Sequence, residues 1–139
     1  MKKQAYLLLL VPALAVTSCK QKELRVEDVK PENVVDECSC IENLAVSMTH
    51  FYTYYEENQA TFKEAQELIN ANQTLPAELA DRHNAMMKGM QENGIRVQRI
   101  TEACNGFVDT GTLATPSFQS ECEHTAAFKE AMAKLNSLR

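Results

Sequence analysis

The sequence lacks the patterns that indicate β-structure, a familiar catalytic site or a second membrane segment. No stretch alternates apolar and polar residues for long enough to form a strand. The chain contains none of the GxSxG, HExxH, P-loop or GxGxxG motifs. It has no tryptophan, and beyond Cys19 its apolar residues are spaced periodically. We therefore expect an all-α protein that is not an enzyme and uses no cofactor.

The acidic balance of the chain argues against two classes of partner. Nineteen Asp and Glu residues stand against fourteen Lys and Arg residues, which gives a formal net charge of −5 at pH 7. Nucleic acids and anionic lipid headgroups attract basic surfaces. We therefore expect no nucleic-acid partner and no electrostatic binding to a membrane.

The N-terminus has the parts of a bacterial export signal. Two lysines near the start precede an apolar run over residues 6–16, which is short for a membrane span. Val16-Thr17-Ser18 places small residues directly before Cys19. Residues 1–20 thus resemble the signal peptide and lipobox of bacterial lipoproteins, with Val16 where leucine is commoner.

The resemblance implies that residues 1–18 are removed and that Cys19 carries a diacylglycerol group. A further acyl chain such as palmitate usually follows on its amine. Two or more acyl chains anchor a protein stably, because each buried methylene contributes about 0.8 kcal/mol. The protein would then lie on the cell membrane or outer membrane, on the periplasmic or extracellular side. Lys20, which follows in place of aspartate, favours the outer membrane. The alternative is an uncleaved anchor with an unmodified cysteine.

The charged stretch after the lipobox predicts a linker. Residues 20–37 mix acidic and basic side chains around Pro31, as in a solvated tether. We assign residues 19–37 to the lipidated cysteine and tether, with a short helix at 31–35. Residues 38–139 then form one helical domain.

Two long helices are predicted from apolar residues that recur at steps of three and four. Ser39 and Glu42 have the spacing of a capping box, which predicts a first helix from Cys40 to about Asn70.

A second helix is predicted from Pro76 to a stop at residues 105–107, continuous but kinked at Gly94, and a break of the helix at Gly94 is the alternative. Thr115-Pro116 predicts the start of a shorter third helix, whose apolar stripe includes Phe118, Cys122 and Phe128. The fold class is an antiparallel hairpin of two long helices with the third packed against it.

Four cysteines remain after Cys19, namely Cys38, Cys40, Cys104 and Cys122. An even number in an exported chain favours disulfides. The hairpin brings the start of the first helix beside the end of the second and the start of the third. Because a Cys38–Cys40 bond would close a strained ring, two pairings remain: 38–104 with 40–122, or 38–122 with 40–104. Each bond would stabilise this end of the bundle by roughly 2–4 kcal/mol.

Metal binding is the alternative function. The cysteines with His124 offer sulfur and nitrogen ligands to zinc. His83, Met86 and Met90 offer imidazole and thioether ligands to copper, but both methionines also fit the core stripe, opposite aromatic residues of the first helix. Disulfides are preferred because the compartment is oxidising and the chain has no CxxC pair.

Tyr52 and Tyr54 are candidate interface residues. Both lie off the apolar stripe of the first helix, and exposed tyrosines are frequent at protein interfaces. Packing of Tyr52 beneath the third helix is the alternative. The sequence therefore predicts a lipid-anchored, non-enzymatic module that binds a protein of the cell envelope.

Overall fold

Two long antiparallel helices form the body of the protein. The computed structural model describes residues 24–115 and 117–138. In it, α1 spans Glu37–Asn70 and α2 spans Ala77–Cys104. The predicted hairpin is confirmed, and α2 continues through Gly94 without a break.

Shorter elements lie before and after the hairpin. Two 3-10 turns, Val26–Asp28 and Pro31–Asn33, precede α1. The one-turn helix α3, Thr110–Leu113, and the longer α4, Thr125–Asn136, follow α2. No strand occurs in the part of the chain that the structure describes, and the all-α prediction is confirmed.

The predicted cap of α1 was wrong. The N-cap is Asp36, whose Oδ1 accepts a hydrogen bond from the Ser39 amide at 2.7 Å. The Ser39 hydroxyl accepts one from the Asp36 amide at 2.9 Å, which completes a capping box in which Ser39 is the third helical residue. Asp36 and Ser39 are both good N-cap residues. With Asp36 as the N-cap, α1 begins three residues earlier, and a carboxylate lies at the positive end of the helix dipole. The bond from the Ser39 amide lowers the pKa of the Asp36 carboxyl.

The last helix, α4, begins later than the sequence predicts for the third helix. Pro116 lies outside the described residues, and α4 starts only at Thr125. Phe118 and Cys122 precede this helix, yet each is only 8% exposed. The Phe118 ring packs edge-on against Phe128 of α4, with ring centroids 5.8 Å apart. Apolar spacing therefore predicted the burial of this segment correctly and its helical structure wrongly.

The main core lies at the end of the hairpin away from its turn. Its most deeply buried apolar side chains are Ile41, Leu44, Ile100 and Phe128. Val29 and Val34, from the segment before α1, belong to the same cluster and are 6% and 7% exposed. The prediction of a solvated tether over residues 20–37 is therefore wrong for these two side chains.

The N-terminal signal lies outside the described residues. Removal of residues 1–18 and lipidation of Cys19 stay predictions. Within residues 24–115 and 117–138, no helix is both long enough and apolar enough to cross a membrane.

Candidate functional site

The four cysteines of the domain form two disulfides at the open end of the hairpin. Cys38 bonds Cys122 and Cys40 bonds Cys104, with Cα atoms 5.3 and 5.4 Å apart. Successive helical residues are rotated by about 100°, so Cys38 and Cys40 face nearly opposite sides of α1. Cys40 faces α2 and is fully buried, whereas Cys38 is exposed. This geometry selects one of the two pairings that the sequence leaves open.

The disulfides bear directly on the alternative zinc site, because a cysteine binds zinc only as a thiolate and all four cysteines are oxidised here. His124 Nε2 lies 3.4 Å from Glu123 Oε1 and 3.7 Å from Glu42 Oε1, and these contacts become ion pairs when the imidazole is protonated. His83 lies in α2 near the turn, so the structure does not bring the two histidines together. Among the described residues, no group of three or more His, Cys, Asp or Glu side chains is arranged to hold a metal ion.

The residues predicted for copper binding occupy different environments. Met86 is 2% exposed and belongs to the hairpin interior. Met90 lines an apolar groove together with Tyr55 and Phe62 of α1. His83 is half-buried on α2.

Tyr52 and Tyr54 contact different helices. Tyr52 Oη donates a hydrogen bond to Glu56 Oε1 at 2.8 Å, and this bond raises the pKa of Tyr52. Lys134 Nζ of α4 lies 5.8 Å from the centroid of the Tyr52 ring, within the range of a cation–π contact. The Tyr54 ring lies against Gly89 of α2. The two half-buried tyrosines therefore do not form one continuous surface, and Tyr52 has the predicted alternative position beside the last helix.

An apolar groove opens where α4 ends. This helix packs along α1 but has 12 residues against the 34 of α1, so it covers only part of the length of α1. The cavity there, which we call the open groove, has a volume of about 520 Å³. Its large apolar side chains come from α1, α2, α4 and the residues after α4: Met48, Phe51, Tyr55, Phe62, Met90, Met132, Leu135 and Leu138. Their three- and four-residue spacing places most of these residues on the apolar stripes of the predicted helices but does not reveal the groove, because apolar spacing does not show where a covering helix ends.

A second groove, of about 1020 Å³, lies between residues 24–27, α1 and the start of α4. Arg25, Glu42, His50 and His124 are among the residues that line it. Acidic and basic side chains share its walls, so its charge does not select a ligand of either sign.

Comparisons of the chain with models of known protein families, with curated proteins and with solved structures find no match.

Proposed function

We propose that this chain is a bacterial lipoprotein whose helical domain is a non-enzymatic binding module for another protein of the cell envelope. The lipid on Cys19 would hold the domain at the cell membrane or outer membrane. The observation that carries the binding role is the open groove, a largely apolar concave surface that α4 leaves uncovered. Exposed apolar patches with polar surroundings are typical of interaction sites.

The occupant that we propose is an amphipathic helix of the partner. Within the protein, α4 itself already packs along α1, and its Phe128 and Ala131 side chains are buried. Met132 and Leu135 line the groove beyond them, so a partner helix would continue an established packing interface toward the turn. Methionine and aromatic side chains adapt well to the apolar residues that an amphipathic helix presents at three- and four-residue steps.

Charge supports a basic partner. Residues 55–92, which form the turn half of the hairpin, contain seven acidic residues and three Lys or Arg residues. A helix with Lys and Arg beside its apolar face would complement this charge. Its association should slow as salt is added, because added ions screen attraction between exposed charges.

The groove is tested first by photo-crosslinking in cells. A photoreactive amino acid replaces Phe62 in the full-length chain, and the control replaces Gln98, an exposed residue of α2 at the disulfide end. Phe62 should crosslink to one envelope protein, through a segment with an amphipathic pattern and basic flanks, and Gln98 should not. Crosslinking to a second copy of the chain, or to a segment without that pattern, would contradict the proposal.

Binding is then measured with a synthetic peptide of the crosslinked segment and the purified lipoprotein in detergent. Phe62→Glu should weaken binding by at least about tenfold, because it places a charge in an apolar groove. Gln98→Glu adds the same charge outside the groove and should bind nearly as the parent does. Melting curves identify any variant that fails to fold, and Met90→Ala is a milder second test. Equal affinities for all variants would exclude the groove as the site.

Lipidation has a separate test, so its failure can be distinguished from failure of the groove. Cells supplied with labelled palmitate should incorporate label into the parent protein and none into Cys19→Ser. The variant should also leave the membrane fraction. Equal labelling of both proteins would remove the lipid anchor from the proposal.

A further inference from the structure

We propose that Cys38–Cys122 is a redox-active disulfide that accepts electrons from a dithiol protein of the envelope, while Cys40–Cys104 is structural. The proposal rests on the contrast between the two bonds and is independent of the open groove. Cys40 and Cys104 are both 0% exposed within the main core. Cys38 is exposed, and its partner Cys122 is 8% exposed.

Access decides which disulfide can react. Thiol–disulfide exchange requires a thiolate to reach one of the two sulfurs directly. The surface position of Cys38 allows this approach, whereas the core excludes it from Cys40–Cys104. A helix N-terminus favours a thiolate at Cys38, but the carboxylates of Asp36 and Glu37 beside it act in the opposite sense. We therefore base the contrast on access and not on thiol acidity.

The reaction is a two-electron exchange. A thiolate of the dithiol attacks Cys38 Sγ, so a bond from its sulfur to Cys38 forms as the Cys38–Cys122 bond breaks. Cys122 leaves as a thiolate and takes up a proton. The second thiolate of the reductant then attacks the reductant's first sulfur in the mixed disulfide. Cys38 leaves as a thiolate and takes up a proton. The dithiol ends as a disulfide, and Cys38 and Cys122 end as thiols.

The rest of the fold explains why the reduced form should remain folded. Cys40–Cys104 still joins α1 to α2. The Phe128 side chain is fully buried and still holds α4 against the hairpin. Reduction would free the residues around Cys122 from the first turn of α1, to which a hydrogen bond from Ser120 to Glu37 also joins them, while Phe118 stays packed against Phe128. Reduction of the exposed disulfide should therefore loosen the residues around Cys122 without unfolding the domain.

The test measures the order of reduction in the full-length lipoprotein in detergent. The native protein is treated with dithiothreitol, quenched with acid, alkylated, and mapped by mass spectrometry over time. Cys38 and Cys122 should become labelled at least about ten times faster than Cys40 and Cys104, with the helical circular dichroism retained.

The Cys38→Ser/Cys122→Ser variant provides the control. It should melt as a folded protein and lack the fast labelling phase. Loss of both disulfides at one rate would overturn the proposal, as would faster labelling of Cys40 and Cys104. Reduction of Cys38–Cys122 only together with loss of helical structure would overturn it as well.

Discussion

Tyr54 of α1 lies directly over Gly89 of α2. A Cβ atom built on Gly89 would overlap the Oη and Cζ atoms of Tyr54 and lie 2.9 Å from its Cε1. The Tyr54 hydroxyl also lies 3.4 Å from the carbonyl oxygen of Ala85, one turn earlier on α2. The absence of a side chain at position 89 therefore makes room for the ring between the two helices.

Gly89→Ala should lower the free energy of unfolding by about 1–3 kcal/mol, because the ring must move out of its site. The matched control is Gly94→Ala in the same helix, where an added Cβ meets nothing within 4 Å. That variant should be stabilised by about 0.5–1 kcal/mol, since alanine favours helix over glycine. Denaturant unfolding followed by circular dichroism measures both. Stabilisation of both variants to the same extent would contradict the contact.

Val34→Ala and Val35→Ala test whether the segment before α1 is part of the domain. Val34 is 7% exposed and Val35 is 67% exposed. Loss of the two buried methyl groups of Val34 should cost about 1.5–2.5 kcal/mol. The neighbouring substitution should change stability by no more than about 0.5 kcal/mol. If both were neutral in denaturant unfolding, the segment would be the solvated tether that its charge pattern indicates.

Asp36 should make the stability of α1 depend on acidity. Its pKa is lowered from the ordinary value of 3.8, chiefly by the hydrogen bond from the Ser39 amide. A lowered pKa in the folded state stabilises the protein at pH values above the unfolded pKa, and this contribution is lost as pH falls through the folded-state pKa.

Asp36→Asn keeps a capping side chain that does not titrate. The difference in melting temperature between the parent and this variant should be constant near neutral pH and should shift against the parent below about pH 4. The pKa of Glu130 is also lowered, by its bond to Lys134, but this pair is present in both proteins and cancels in the comparison. A difference that does not change with pH would contradict the prediction.

Phe128→Ala should be among the most damaging single substitutions in α4. The ring is fully buried and packs against Phe118, so its removal should cost about 3–5 kcal/mol. Phe107 is 44% exposed and provides the control, since Phe107→Ala should cost much less. Thermal melts of the two variants compare them directly. Similar losses would mean that α4 is not held by its aromatic contact.

Local patterns predicted some features of the fold well. The apolar stripe and the turn residues near Pro76 correctly predicted two long helices and the continuity of α2 through Gly94. Ser39 was correctly identified as a residue of a capping box but placed in the wrong role, because Asp36 was an equally suitable cap three residues earlier. Phe118 and Cys122 have helical spacing without being helical, since any segment that packs on a core must place apolar residues at intervals.

The helical class, the hairpin and the gathering of four cysteines at one end can be predicted from the amino-acid pattern, because they follow from local periodicity and from the position of one turn. The tertiary structure alone decided the disulfide pairing, the burial of Val29 and Val34, and the open groove. Each of these depends on which distant segments meet. The spacing of apolar residues shows which face of a helix is apolar. Which part of that face is covered by another segment depends on how the whole chain packs.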